Sequence, residues 1–270
     1  MVIAFGREGF LSPDAEWVAE EIRSEFSSYF DLSKEVNKES HRILFDAKIH
    51  NQVDLELVSA TLFVRILEHH RATFVLLERG IVSSAKVALR ALLEAVFTLR
   101  AVVDESDKLD AYIKSDLVDR SKMLRALETF DEVGVDLAPK KARKDLLDEI
   151  SKAIQDTGAR KLKVEDLARF AGLHAAYQSH YRLLSSAVHT SVGDLECYFD
   201  LRSNGEVGGL AYAPELTEIP PHLMTACEFT LIAAKTTAAV FEMALSDQFK
   251  KIERCVTERA DALIEARRLR

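Results

Sequence analysis

Turn-forming residues are scarce in this chain: ten glycines and five prolines serve 270 residues. Average usage is roughly 7% glycine and 5% proline, so the elements between turns must be long. Long elements are helices, because strands rarely exceed about ten residues. A mostly α fold follows. Hydrophobic residues at 48% and charged residues at 30% fit a globular chain and exclude a disordered or collagen-like one.

The punctuation and the apolar spacing predict a bundle of about seven helices. Ser12-Pro13-Asp14 opens the first, with Trp17, Ile22, Phe26, Tyr29 and Phe30 as its stripe. Helical spacing resumes from Val53 to Arg79, breaks at Gly80, and continues through an apolar run from Ile81 to Val103. Further helices are expected from about Glu105 to a stop near Gly134, from Pro139 to Gly158, and from Val164 to Val192 with a bend at Gly172. The last runs from Pro220-Pro221 to about Leu269, with Leu245, Phe249, Ile252, Val256 and Leu263 as an apolar seam for a helix in cis or in trans. Only residues 195–212 look extended: Leu195, Cys197 and Phe199 alternate, and Asn204-Gly205 marks a hairpin turn. The expectation is one domain over 1–270. It comprises an N-terminal helical segment (1–52), core helices (53–192), a small β-hairpin (195–212) and a long C-terminal helix (221–270).

Charge and cysteine usage narrow the function classes. Lys+Arg 36 against Asp+Glu 44 leaves a net charge of −8, so non-specific coating of nucleic acid is disfavoured, although a local basic patch is compatible with it. Three separated cysteines, Cys197, Cys227 and Cys255, form no C-x-x-C and suggest neither a zinc ribbon nor a disulfide framework. The run from Ile81 to Val103 carries Lys86, Arg90, Glu94 and Arg100, which would be costly in lipid, so it is read as a core helix. With no signal-peptide pattern at the start, the expectation is a cytoplasmic protein without a membrane segment. Glu68-His69-His70 lacks metal-ligand spacing and is read as a solvated surface. Neither a metal nor a cofactor is predicted.

Two constellations stand out. Arg79, Ser83, Lys86, Arg90 and Glu94 step by three or four residues along one helical face of an otherwise apolar segment. Charges there are either an i,i+4 pair facing solvent or one wall of a polar cleft. The second is Tyr177, Tyr181, Ser185 and His189, four apart each time, with Arg182 seven residues before His189. Leu183, Leu184, Ala187 and Val188 are assigned to the core side. A seven-residue step returns to nearly the same face of a regular helix, whereas the five-residue steps of Arg65/His70 and Arg169/His174 do not.

From Val64 to Pro214 these residues resemble an uncharacterised bacterial helical family known as DUF 5677. The likeness rests on Arg79-Gly80, Arg90-x-x-x-Glu94, and Tyr181-x-x-x-Ser185-x-x-x-His189. More distantly the chain is similar to the HEPN ribonucleases, whose signature is an Arg and a His with four to six residues between them. Leu183 stands where those motifs carry a polar residue. The HEPN likeness implies metal-independent RNA cleavage in a toxin or phage-defence setting, often as a homodimer and with an antitoxin or other protein partner. His189 would be the acid or base, Arg182 would stabilise the phosphate charge, and Tyr181, Ser185, Arg90 and Glu94 would hold substrate. The alternative is a non-catalytic helical interaction or regulatory module in which the same residues form a hydrogen-bond network between helices. A homodimer is expected through the C-terminal helix or the His189 face.

Overall fold

The apolar run with embedded charges becomes a deeply packed central helix. In the computed structural model, which describes residues 9–50, 52–130, 140–189, 192–210 and 213–268, this helix is α4 (Val82–Asp104), and twelve of its residues are buried. The helix before it, α3 (Asp54–Glu78), lies antiparallel to it. Gly80 makes the reversal. Its φ of +71° is a left-handed conformation suited to glycine, and the Gly80 and Ile81 amides donate to the Leu77 and Leu76 carbonyls, closing a Schellman cap. A Cβ on Gly80 would lie 2.4 Å from the Pro214 Cβ, so the position is glycine for space as well as for backbone angle.

Around this hairpin pack α1 (Asp14–Glu25), α2 (Ser27–Asp46) and α11 (Ile219–Val240), with α12 (Asp247–Arg268) against α2 and α11. α5 (Ser106–Phe130) and α6 (Lys140–Thr157) pair with each other and reach the core through α4. The expected stop at Gly134 and start at Pro139 lie outside the described residues. α7 (Val164–Phe170) ends at the predicted Gly172 bend, followed by α8 (His174–Ala176), a π-helical turn over Tyr177–Tyr181, and α9 (Arg182–His189). A short α10 (Val192–Leu195) and a 3-10 turn (Glu196–Tyr198) lead into β1 (Phe199–Leu201) and β2 (Val207–Leu210), an antiparallel pair.

The mostly α class and the single small hairpin stand; the helix count does not. Ten described helices reach seven residues or more, against about seven expected. All three additional helices come from splits, one of them at the Gly172 bend between α7 and α9. Phe26, at φ −107° and ψ 23°, separates α1 from α2. The long C-terminal helix is two helices: Glu242 takes φ 51°, and the Glu242 and Met243 amides donate to the Ala239 and Ala238 carbonyls. This is the same cap as at Gly80, built on glutamate, so no glycine announces it. α12 therefore folds back, and its seam residues Phe249, Ile252 and Val256 are buried in cis against α2 and α11. The hairpin is shorter than expected, because the segment around Cys197 forms the 3-10 turn; Ala211 and Tyr212 lie outside the described residues.

α11 is the one described helix long and apolar enough to cross a membrane, and 72% of that stretch is buried inside the protein. It meets α2, α3, α4 and α12. His70, expected on a solvated surface, is part of this packing. It is 1% exposed, with Nε2 3.1 Å from Ser33 Oγ on α2 and Nδ1 3.0 Å from Thr230 Oγ1 on α11. A neutral imidazole has one donor and one acceptor, which these two hydroxyls satisfy. Burial drives its pKa down to about 4.

Two stability measurements follow. A left-handed non-glycine residue costs roughly 1 kcal/mol, so Glu242→Gly is expected to raise the unfolding free energy by about 0.5–1 kcal/mol in urea titrations. A histidine whose pKa falls on folding makes the unfolded chain bind more protons below pH 6.5, so stability drops as pH falls from about 6.5 towards 4. Between pH 7 and 5 His70 accounts for about 2 kcal/mol of that loss, and His70→Gln should flatten the urea midpoint against pH over this interval.

Candidate functional site

Two of the charged side chains on α4, Arg90 and Glu94, are hydrogen-bonded by α9 and the turn before it. Arg90 donates from Nε to Ser185 Oγ at 3.1 Å and from Nη2 to the Tyr181 hydroxyl at 2.7 Å. The Tyr181 hydroxyl in turn donates to Glu94 Oε2 at 3.1 Å. Arg90 and Glu94 thus meet through the phenol, not as the direct i,i+4 pair. Ser185 also donates to the Tyr181 carbonyl at 2.8 Å, which fixes the oxygen that Arg90 uses. Tyr181 is 5% exposed. Burial first, and the Glu94 carboxylate second, push its pKa up to about 12, so it stays protonated and remains a donor.

An aromatic column supports the network. The rings of His174 and Tyr177 stack at 6.1 Å, those of Tyr177 and Tyr181 at 5.1 Å, and the Arg90 guanidinium lies 4.7 Å from the Tyr181 ring centre. Phe97 closes the inner side, 6.0 Å from Tyr181. The π-helical turn containing both tyrosines widens the helix at this point. Such turns occur mostly as single insertions in α-helices and are frequent at functional sites.

Four of the six predicted site residues, Arg90, Glu94, Tyr181 and Ser185, are therefore brought together. Arg182 is not among them: it faces solvent and donates to Gln178 Oε1 at 2.9 Å. His189 ends α9, at the helix C-terminus as expected; its side chain lies outside the described residues. The rest of the polar stripe disperses. Arg79 caps α3 and pairs with Glu16 at 3.1 Å, while Ser83 accepts from Tyr198 at 2.8 Å beside the hairpin. Leu183, assigned to the core, is 75% exposed, whereas Leu184 is buried.

Lys86 lines a cleft that the sequence did not disclose. Its volume is about 740 Å³, and α4, the π-helical turn, α9, α11 and α12 form its walls. Leu89, Leu184, Met224, Leu263 and Ile264 supply apolar surface, and His180, His222 and Glu228 converge on it. Burial pulls the pKa of His180 down. Burial, followed by the charges of Lys86 and Arg267, pulls His222 down to about 4. Burial, aided by Asp261, raises Glu228 to about 7. Arg267 is held by Glu218 at 2.7 Å. Half the cleft comes from α11 and α12, so it exists only because the C-terminal helix turns back at Glu242. Among the described residues no group of three His, Cys, Asp or Glu side chains is placed to hold a metal ion.

A family model described as a family of unknown function, DUF5677, matches residues 56–207. The chain belongs to DUF5677. The matched stretch runs from α3 through the start of β2 and contains Arg90, Glu94, Tyr181 and Ser185, so the network lies wholly inside the DUF5677 region; the α11 and α12 walls of the cleft lie outside it. No curated protein and no solved structure matches the chain.

The network makes one direct prediction. Tyr181→Phe leaves the Glu94 acceptor and an Arg90 donor without their common partner, which should cost about 1–3 kcal/mol. Arg182→Ala, on an exposed side chain, should stay within about 0.5 kcal/mol of wild type. Urea denaturation of the two variants gives the comparison.

Proposed function

We propose that this protein is a non-catalytic helical interaction module that docks through its hairpin face, with a second copy of the chain as partner. The observation that carries the reading is an unprotected apolar surface. β1 and β2 pair Phe199 with Leu210 and Leu201 with Val207, which sets four apolar side chains at two cross-strand positions. All four are exposed, Leu201 at 60% and Leu210 at 76%, and Val192 on α10 adds another at 79%. A lone two-stranded hairpin is marginal in water, and contiguous exposed apolar surface is characteristic of an interaction site. The C-terminal helix, the other interface expected, spends its seam in cis. The Arg90–Tyr181–Glu94 network then acts as a clamp, holding the helix that leads into the hairpin against α4.

RNA cleavage by Arg182 and His189 is the second reading. It is supported by the uninterrupted α-helical geometry of α9, which carries the two residues seven apart, and by the exposure of Arg182. An antitoxin or other protein partner and a toxin or defence setting belong to this reading.

Light scattering at micromolar concentration tests the first reading. It should report about twice the chain mass of 30.3 kDa, with Leu201→Asp/Leu210→Asp returning the monomer at unchanged helical content. A wild-type monomer, or a dimer indifferent to the double variant, contradicts it. Incubation with RNA in the presence of a chelator tests the second: cleavage that disappears in His189→Ala would establish the nuclease and displace the non-catalytic reading.

A further inference from the structure

From the cleft between α4, α9, α11 and α12 we infer a binding site for a small amphiphile with one anionic head group, a carboxylate with an apolar chain. The site is separate from the hairpin face and does not depend on how that face is used.

Its volume of about 740 Å³ lies within the range of roughly 300–1,000 Å³ found for small-molecule pockets, which are mostly apolar with a few convergent polar groups. The walls here follow that pattern, with aliphatic side chains from all four helices. Two polar groups on the lining lack a protein partner, and a third has no aligned hydrogen bond. Lys86 is half-buried and has no carboxylate within ion-pair distance among the described residues; Glu228 is half-buried and makes neither an ion pair nor a hydrogen bond. His222 Nε2 is buried without an aligned hydrogen bond, although Glu218 Oε2 lies 3.3 Å away. Unpartnered polar groups at a partly buried surface are costly. Several of them converging on one apolar cleft are matched by a ligand rather than by the fold.

The charge balance selects the head group. Arg267 is neutralised by Glu218, which leaves Lys86 as the unmatched cation. At His222 the charges of Lys86, Arg267 and His180 disfavour protonation against that of Glu215, and the Glu218 carboxylate 3.3 Å away is already paired with Arg267. An anion at the Lys86–His222 end supplies the missing charge and accepts a hydrogen bond from the imidazole N–H. Glu228 sits where no cation offsets it, and its carboxyl is raised towards the protonated, uncharged form. It therefore does not draw a second, cationic group into the cleft. Leu184, Met224, Leu263 and Ile264 take the apolar chain.

The test uses the full chain and three ten-carbon probes below their micellar concentrations: decanoate, decan-1-ol and decyltrimethylammonium, followed by isothermal titration calorimetry at pH 6.0, below the raised pKa of Glu228. Decanoate is expected to bind with 1:1 stoichiometry, at least tenfold tighter than either of the others. Lys86→Met, which keeps the aliphatic stem, should weaken decanoate tenfold or more and leave decanol within twofold. Ala260→Phe, which fills the cleft from α12, should abolish binding of both at unchanged circular dichroism. The inference is overturned by any of four results: no decanoate binding, preference for the cationic probe, decanoate affinity unchanged by Lys86→Met, or binding that survives Ala260→Phe. Leu201→Asp/Leu210→Asp should leave the decanoate titration unchanged, so loss of the dimer and loss of the ligand site are read separately.

Discussion

The guanidinium of Arg90 projects from a helix with twelve of its 23 residues buried, and the arrangement of the neighbouring elements follows from the need to satisfy it. A charge in that position is costly unless it is paired and hydrogen-bonded. Direct pairing with Glu94 one turn along would leave the remaining guanidinium donors facing an apolar neighbour. Placing the Tyr181 phenol between the two uses its single hydroxyl as acceptor and donor at once, and Ser185 takes Nε. The three contacts come from one turn of the facing chain, so α9 has essentially one register against α4. Polar networks that are fully satisfied specify packing in this way.

That register sets up both surfaces with functional character. On one side of the clamp, α9 continues through α10 into the hairpin, and Tyr198 reaches back to Ser83 on α4. On the other side, His180 and Leu184 from the same turns face the cleft that α11 and α12 complete. The apolar hairpin face and the cleft are thus carried by a single clamped element. The clamp sits in the DUF5677 region, while half of the cleft is contributed by the C-terminal helices beyond it.

How much of this was legible in the sequence depends on whether a local signal existed. Gly80 and Gly172 sit at left-handed caps and announce their breaks correctly, and the scarcity of other turn residues leads directly to the helical class. Glu242 occupies the same kind of cap without the residue type that marks it, so α11 and α12 read as one helix, and the cleft they enclose was invisible. His70 lies beside a second histidine and a glutamate, which in a one-dimensional reading looks like a polar surface; its partners Ser33 and Thr230 are distant in the chain and on other helices. The grouping of Arg90, Glu94, Tyr181 and Ser185 was legible because i,i+4 spacing places each pair on one face of its helix. What spacing could not give is their mode of contact, or that Arg182, adjacent to Tyr181, points to the other side and onto Gln178.

Amide hydrogen exchange resolved along the chain tests the central claim, that the Arg90 network is what holds α9 on α4. In the wild-type protein the α9 amides should be protected well above the level of an isolated eight-residue helix, which is marginal in water. In Arg90→Ala that protection should collapse through α9 and the π-helical turn, while the amides of α2, α3 and α11 keep theirs. Rapid exchange of α9 in the wild type, or an α9 still protected after Arg90→Ala, would contradict the account.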